Sequence, residues 1–465
     1  MSNTRDSRSL SPHIALIPSA GMGHLLPFLR ITSMLLSRNC TVTLITAEST
    51  VSAVESSYIS SFLSQHPQVK HVDIQPIQLH SNPTSNDPLF LQFESISRSF
   101  QLLSPALSSS SPPLSAIFTH LSMASIITPI AAELGVPSYL VSSTSTKFLC
   151  LMAYHPVLIA DPDKLGNSST ELTIPGLTPF PISSIPSPFK NPDNIFTRSI
   201  LVPNARALSK AKGIIVNSFD CFEPETLEAI NNGRVLEHSL PPVLPIGPLE
   251  SYEIKKEKSH YMTWLDNQPE ESVVYVNFGG RTTMSNHQIR ELSKGLERSG
   301  YRFLLVLKCS EVDEEDKDDL KDLVGDSFLE RTRNKGMVVK GWVSQQEILE
   351  HPSIGAFVNH CGWNSVMEAA RRGIPMVAWP QIGDQRVNAE IVKNAGLGIW
   401  ESKWGLGLQA ELVCGEEIEK KIKEVMENEK LREMAKKVGD EARKYTNIGG
   451  RSEKVLKELV EFLQK

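Results

Sequence analysis

Short β-branched, apolar runs alternate with helix-patterned segments through both halves of this chain, and a cluster of four prolines, PPVLPIGP at Pro241–Pro248, separates the halves. The alternation restricts the chain to α/β architectures. In the first half strands are expected at His13–Pro18, Thr41–Thr46, Ser115–Leu121, Ser138–Ser143 and Lys212–Ser218. In the second they are expected at Ser272–Gly279, Arg302–Leu307, Met337–Trp342, Gly355–His360 and Pro375–Pro380. Runs such as IALIP and VVYVNF are apolar throughout, which suits parallel strands covered on both faces. The expected fold is two doubly wound, Rossmann-like parallel-sheet domains facing across a cleft, with ligands at the carboxyl ends of the strands.

The proline cluster cannot continue a helix or a central strand. It places a first domain at 13–245 and a linker at 246–262. A second domain follows at 263–448, and a terminal helix at 449–465 that could pack back on the first domain. The polar residues 1–12 read as a disordered tail rather than a signal peptide. Residues 160–200, rich in Pro and Ser, read as a long irregular surface segment, and Gly415–Lys465 as two amphipathic helices parted near Asn447–Gly450. The acidic stretch from Glu311 to Asp326 reads as a solvated face.

Composition narrows the function classes. A net charge of -6 and the lack of a basic stripe argue against nucleic acid as a partner. No apolar run reaches the roughly 18 residues of a membrane span. The six cysteines lie far apart and form no C-x-x-C pair, so reduced thiols and a cytoplasmic location are expected.

The segment GWVSQQEILEHPSIGAFVNHCGWNSVMEAARRGIPMVAWPQIGDQ carries the clearest chemistry. A buried strand delivers HCGWNS at its carboxyl end, and a helix follows. Strand, turn and helix together present backbone N–H groups and a positive helix end to an anion. His360, Asn364 and Ser365 can add donors to a diphosphate, and Trp342 can stack on a flat base. Glu368, one turn into the helix, can accept two ribose hydroxyls, while Asp384 and Gln385 can bind sugar hydroxyls. Singly, Trp342, Trp363 and Trp379 read as core aromatics and His360 as a satisfied strand-end histidine. Their joint order is not what packing alone would specify.

The first strand ends IPSAGMGH. Gly21 and Gly23 do not start a dinucleotide loop, because Leu26 stands where a third glycine belongs. The glycines instead let the backbone turn, leaving His24 at a helix start facing the cleft. A helix N-terminus disfavours imidazolium, so a neutral, basic histidine fits there.

The segment Trp342–Gln385 resembles the signature box of plant family 1 UDP-glycosyltransferases along its whole length, and the resemblance extends over essentially the entire chain. It implies the GT-B fold and inverting transfer from a UDP-sugar. It implies that Trp342 stacks on uracil, the Val343 backbone pairs with its edge, and Gln345 and Glu368 hold the ribose. His360, Asn364 and Ser365 would hold the diphosphate, and Asp384 and Gln385 the sugar, with Gln385 favouring glucose. Trp363, Gly23, and Gly280 and Thr282 of the FGGRTTMS turn complete the expected donor site. His24, at the GHxxP position, is the implied base. Relatives orient it with an aspartate, but the equivalent stretch AIFTHLSMAS offers His120. That imidazole can orient His24 by hydrogen bonding, or it is structural. It cannot balance a developing imidazolium as a carboxylate does.

The GMGHLLPFLR, DPLFLQFESISRS, FGGRTTMS and AGLGIWESKWGLG stretches most resemble the branch that C-glycosylates 2-hydroxyflavanones and dihydrochalcones. The implied activity is transfer from UDP-glucose to carbon of a flavonoid-type phenol. An O-glucosyltransferase on phenols and a non-catalytic nucleotide-sugar-binding protein are the alternatives. Gly280, where relatives carry serine, either eases a turn or opens room for the acceptor. Phe93, Phe100 and Phe148 are acceptor candidates or core aromatics. No metal and no cofactor beyond the donor substrate is expected, and the chain is expected to act as a monomer.

Overall fold

The computed structural model describes residues 11–47, 52–75, 94–95, 97–99, 103–161, 164, 170–236, 240–250, 259–280, 284–308, 319–405 and 411–464. All ten strands expected from sequence are present, with ends within two residues of those expected. The first sheet holds β1 (His13–Ile17), β2 (Thr41–Ala47), β3 (Lys70–Ile74), β4 (Ala116–His120), β5 (Ser138–Ser142), β8 (Gly213–Val216) and β9 (Val243–Pro245). A separate antiparallel pair joins β6 (Glu171–Leu172) to β7 (Phe180–Pro181). The second sheet holds β10 (Val273–Asn277), β11 (Arg302–Leu307), β12 (Gly336–Lys340), β13 (Ile354–Asn359), β14 (Met376–Ala378) and β15 (Gly398–Trp400).

The strand orders are β3-β2-β1-β4-β5-β8-β9 and β12-β11-β10-β13-β14-β15, and every pairing within both sheets is parallel. Each sheet therefore reverses its winding between its own first strand and the strand beside it. The two switch points lie between β1 and β4 and between β10 and β13, where open α/β sheets form ligand crevices.

Alternating side chains fill both faces of each sheet. From β1, Ile14 and Leu16 pack with Phe28 and Leu29, whereas Ala15 and Ile17 pack with Ile127 and Ile130. From β10, Val274 and Val276 pack with Leu292 and Ile422, whereas Val273 and Tyr275 join a third face with Phe357 and Val366. That last cluster runs on into the first half through Leu149, Phe219 and Phe222, so an apolar floor connects the two halves.

Three sequence expectations are refined, and one open alternative is closed. The proline cluster contains β9, an edge strand, where proline's missing N–H costs no ladder bond. Residues 160–200 are not wholly superficial: Leu172, Ile174, Phe180, Ile185 and Phe189 are buried in the same cluster as Leu149 and Leu158. The segment after Gly415 forms three helices, because the Asn428 side chain caps a new helix at the Leu431 N–H. Phe148 is a core residue edge-on to Phe189, while Phe93 and Phe100 lie outside the described residues. The last helix, Arg451–Leu463, buries Val455, Leu456, Leu459, Val460 and Leu463 with Ile14 and Phe28 of the first half. Its Ser452 hydroxyl donates to the Ile246 carbonyl at 2.6 Å.

Candidate active site

At the first switch point, β1 runs through Gly21 (φ 101°) into the helix Met22–Leu36. The positive φ suits glycine, and the turn sets His24 in the first helical turn. His24 Nδ1 lies 2.8 Å from the Ala20 carbonyl. A carbonyl only accepts, so Nδ1 carries the proton and Nε2 keeps its lone pair. Gly23 shows why proline follows in this motif. Pro27 stands four residues on and has no N–H to return to the Gly23 carbonyl. That carbonyl instead accepts from Asn364 Nδ2 of the second domain at 2.9 Å.

His120 ends β4 at the other side of the switch point. Its ring stacks on His24, with centroids 4.2 Å apart and planes inclined by 28°. The Ser122 backbone N–H points at Nδ1 (3.3 Å), so Nδ1 accepts and Nε2–H donates to Ser143 Oγ at 2.8 Å. Both nitrogens are thus spoken for by serines, and the expected hydrogen bond from His120 to His24 is replaced by a stacked face. Burial, then the neighbouring His24 charge, hold His120 well below the usual imidazole range.

Ser143 is followed by Thr144, whose hydroxyl donates to Asp384 Oδ2. Asp384 also accepts from Asn388 Nδ2 at 2.9 Å, and the same amide donates to the Cys361 carbonyl at 3.0 Å. Burial pushes the Asp384 carboxyl up, and the Thr144 and Asn388 donors oppose that. The turn after β5 therefore links the histidine pair to the carboxylate of the second domain. Gln385 is 8% exposed, and its Oε1 accepts from the Gln381 and Ile382 N–H groups at 2.8 and 2.9 Å, which leaves its NH2 end to donate to a ligand.

The second switch point holds His360 after β13. A Cβ on Gly279 would stand 2.8 Å from His360 Cε1, and one on Gly362 would stand 2.5 Å from His360 Nε2. Two glycines thus clamp the imidazole from both sides. Its Nδ1 is buried and has no partner among the described residues, and burial pushes the ring down to about 4. It is neutral at pH 7 and can donate through one N–H. Cys361 turns the chain at φ 62°, with its N–H on Asn359 Oδ1 at 2.7 Å. Helix Trp363–Arg372 follows, with Arg371 and Arg372 in its last turn completing the match to its dipole.

One turn inside that helix, Glu368 accepts from Gln345 Nε2 at 2.7 Å and from Arg30 Nη2 at 2.5 Å. Gln345 also donates to Ser365 Oγ at 2.9 Å and accepts from Asn277 Nδ2 at 3.1 Å. At the rim, Trp342 is 44% exposed and its indole N–H donates to Tyr58 of the first domain at 3.1 Å. Beside it Lys308 Nζ donates to the Gly280 carbonyl at 2.8 Å.

Of the residues expected from sequence, the structure brings together His24, His120, Gly23, Gly280, Trp342, Gln345, His360, Asn364, Ser365, Glu368, Asp384 and Gln385 around the two switch points. Val343 is adjacent, with its side chain in the core. The Trp363 side chain points away from the site: it is 3% exposed, and its Nε1 donates to the Asn217 carbonyl at 2.8 Å, which leaves only its backbone N–H at the helix start for a donor. Its side chain joins the two halves and has no surface left for a ligand. Thr282 lies outside the described residues. Arg30, Tyr58, Ser143, Thr144 and Lys308 join the site unannounced by the motif reading. Only Ser143 and Thr144 carried a usable signal, a hydroxyl cluster directly after a strand bordering the switch point. Among the described residues, no group of three or more His, Cys, Asp or Glu side chains is placed to hold a metal ion. No helix among them is long and apolar enough to cross a membrane.

Comparison with known proteins gives this arrangement a context. Residues 206–439 match the family model described as UDP-glucoronosyl and UDP-glucosyl transferase. UDP-glycosyltransferase 708C1 of Fagopyrum esculentum is 46% identical over 456 residues, covering 98% of this chain and 96% of the relative. UDP-glycosyltransferase CGT of Oryza sativa subsp. japonica is 41% identical over 469 residues, covering 100% and 98%. The crystal structure of LpCGTa in complex with UDP has a TM-score of 0.86 at 42% identity, covering 97% of this chain and 99% of that one.

Proposed function

The chain belongs to the plant family 1 UDP-glycosyltransferases, a UDP-sugar glycosyltransferase of GT-B fold, and from that premise we propose that it moves glucose from UDP-glucose onto a ring carbon of a flavonoid-type phenol, with inversion. The observation that carries the chemistry is the tautomer of His24: Nδ1–H is held by Ala20, which puts the neutral ring's lone pair on Nε2, the nitrogen a general base would use.

In this reading His24 Nε2 takes a phenolic proton. The phenoxide shifts electron density onto its ortho carbon, which attacks the anomeric carbon from the face opposite the diphosphate. The bond from the anomeric carbon to the β-phosphate oxygen breaks and UDP leaves; the attacked ring carbon then gives up its proton to solvent while the ring oxygen takes one, which restores the aromatic phenol, and His24 returns its proton to solvent. Asp384 and Gln385 hold the glucose hydroxyls. His360, Asn364, Ser365 and the N-terminus of helix Trp363–Arg372 receive the charge that develops on the leaving group. Trp342 stacks on uracil, and Gln345 and Glu368 hold the ribose. The location proposed for this activity is the cytoplasm.

Transfer to carbon is supported by relatives named as C-glycosyltransferases, rice CGT and LpCGTa, at 41% and 42% identity over nearly the whole chain. The test incubates the protein with UDP-glucose and phloretin and heats the product in acid. An acid-stable glucoside is expected. Hydrolysis of the product supports O-transfer, and no product favours the binding-only reading. His24→Ala is expected to lower turnover by about 10²–10⁴ while UDP still binds; an active variant removes His24 as the base.

A further inference from the structure

The Arg30–Glu368 pair is a cross-domain contact that the transfer reaction as drawn does not use. Arg30 lies six residues after His24 on the helix Met22–Leu36 and is 3% exposed; Glu368 is 9% exposed. Arg30 Nη2 donates to Glu368 Oε1 at 2.5 Å, and Gln345 Nε2 donates to Glu368 Oε2 at 2.7 Å. Arg30 Nε and Nη1 are buried and have no partner among the described residues.

Those orphaned donors are a cost. A buried guanidinium with unpaired N–H groups is desolvated without full compensation, and a buried ion pair is commonly no more stable than apolar side chains of the same size. A leucine or methionine at this position would spare the guanidinium's desolvation but would leave the buried Glu368 carboxylate with one donor fewer. What the arginine adds is its hold on Glu368. A carboxylate offers about four lone-pair directions. Arg30 occupies one on Oε1 and Gln345 one on Oε2, so each oxygen keeps one direction open and the plane of the group is fixed. That presentation suits two neighbouring hydroxyls.

We propose that Arg30 is a positioning residue for the donor's ribose, setting Glu368 from across the cleft to accept the 2′- and 3′-hydroxyls. The proposal rests on the reading of Glu368 as a ribose ligand. Gln345 holds the carboxylate from its own domain, whereas Arg30 reaches it from the other.

The test is the ratio of affinities for UDP and 2′,3′-dideoxy-UDP, measured by calorimetry on the full-length wild type, Glu368→Gln, Arg30→Met and Arg30→Lys. The wild type is expected to prefer UDP by about tenfold or more, as hydrogen bonds to a charged acceptor imply. Glu368→Gln is expected to lower the ratio by at least about threefold, with Gln345 still reaching the ribose. If it does not, Glu368 is not a ribose ligand, and the proposal falls with that reading. If it does, Arg30→Met decides. A ratio at least about threefold below wild type supports positioning, because a merely structural lesion weakens both nucleotides alike. Equal loss for both nucleotides overturns the proposal while leaving Glu368 at the ribose. Should Arg30→Met fail to fold, having left a buried carboxylate unpaired, Arg30→Lys decides alone. Lysine keeps the charge without the planar fork, so a wild-type ratio overturns the proposal and a lowered ratio supports it.

Discussion

His24 and His120 meet face to face, with ring centroids 4.2 Å apart, and not through a hydrogen bond. Both His120 nitrogens are taken by Ser122 and Ser143, so the contact fixes the His24 ring without supplying a charge to balance an imidazolium. His120→Asp would place a carboxylate beside the base and favour its protonated form. The acidic limb of kcat/KM against pH is therefore expected to move up by about one unit, since His24 then stays protonated to higher pH. An unmoved limb would mean that position 120 is not electrostatically coupled to the base.

Pro27 is expected to matter through the bond it withholds. Pro27→Ala returns an N–H to the Gly23 carbonyl and removes a ring from the helix interior, so the melting temperature should hold or rise. The Gly23 carbonyl then serves the helix in place of Asn364, and KM for UDP-glucose should rise several-fold. Steady-state kinetics with an unchanged KM would show that the cross-domain bond from Asn364 does not support donor binding.

Two adjacent glycines should respond in opposite ways. At Gly279 the φ is 76°, and a Cβ would sit 2.8 Å from His360. Gly279→Ala should cost about 1–2 kcal/mol from the backbone alone and weaken UDP binding by displacing His360. At Gly280 the nearest atoms to a Cβ are Lys308 Nζ at 3.8 Å and Trp342 at 3.9 Å. Gly280→Ala should stay within about 0.5 kcal/mol of wild type. Denaturation midpoints and UDP titration of both variants check this, and equal behaviour would contradict the clamp.

His360 also has a signature in pH. Its folded value, about 4, lies below the ordinary 6.5, so the unfolded chain binds the proton more readily. The stability its neutral form contributes is present above pH 6.5 and is lost as pH falls towards 4, at up to about 1.4 kcal/mol per pH unit. Wild type minus His360→Gln, followed by urea denaturation from pH 7.5 to 4.5, isolates this histidine from other titrating groups. The difference should shrink or reverse on acidification; a flat difference would mean His360 is freely hydrated.

Strand–helix alternation was readable because both faces of the sheets are covered, leaving runs such as Ile14–Ile17 and Val273–Val276 apolar throughout. The strands that escaped notice are those without such a run. β3 is largely exposed or half-buried, β6 and β7 have two residues each, β9 hides among prolines, and β15 has only three residues. The cap at Asn428 leaves no break in the sequence pattern because amphipathic periodicity continues on both sides of it.

The same division holds at the site. HCGWNS and GMGH each lie on one strand–turn–helix, so the amino acids alone determined where those side chains sit relative to their own backbone. Trp363 shows the limit: its neighbours in the motif line the site, yet it points into Asn217 and Phe222 of the other half. Arg30 and Glu368 are 338 positions apart, Gly23 and Asn364 are 341 apart, and Thr144 and Asp384 are 240 apart. These contacts depend on how two sheets are set across an apolar floor. That arrangement comes from the packing of many side chains at once and leaves no periodicity along the chain, so only the tertiary structure decided it.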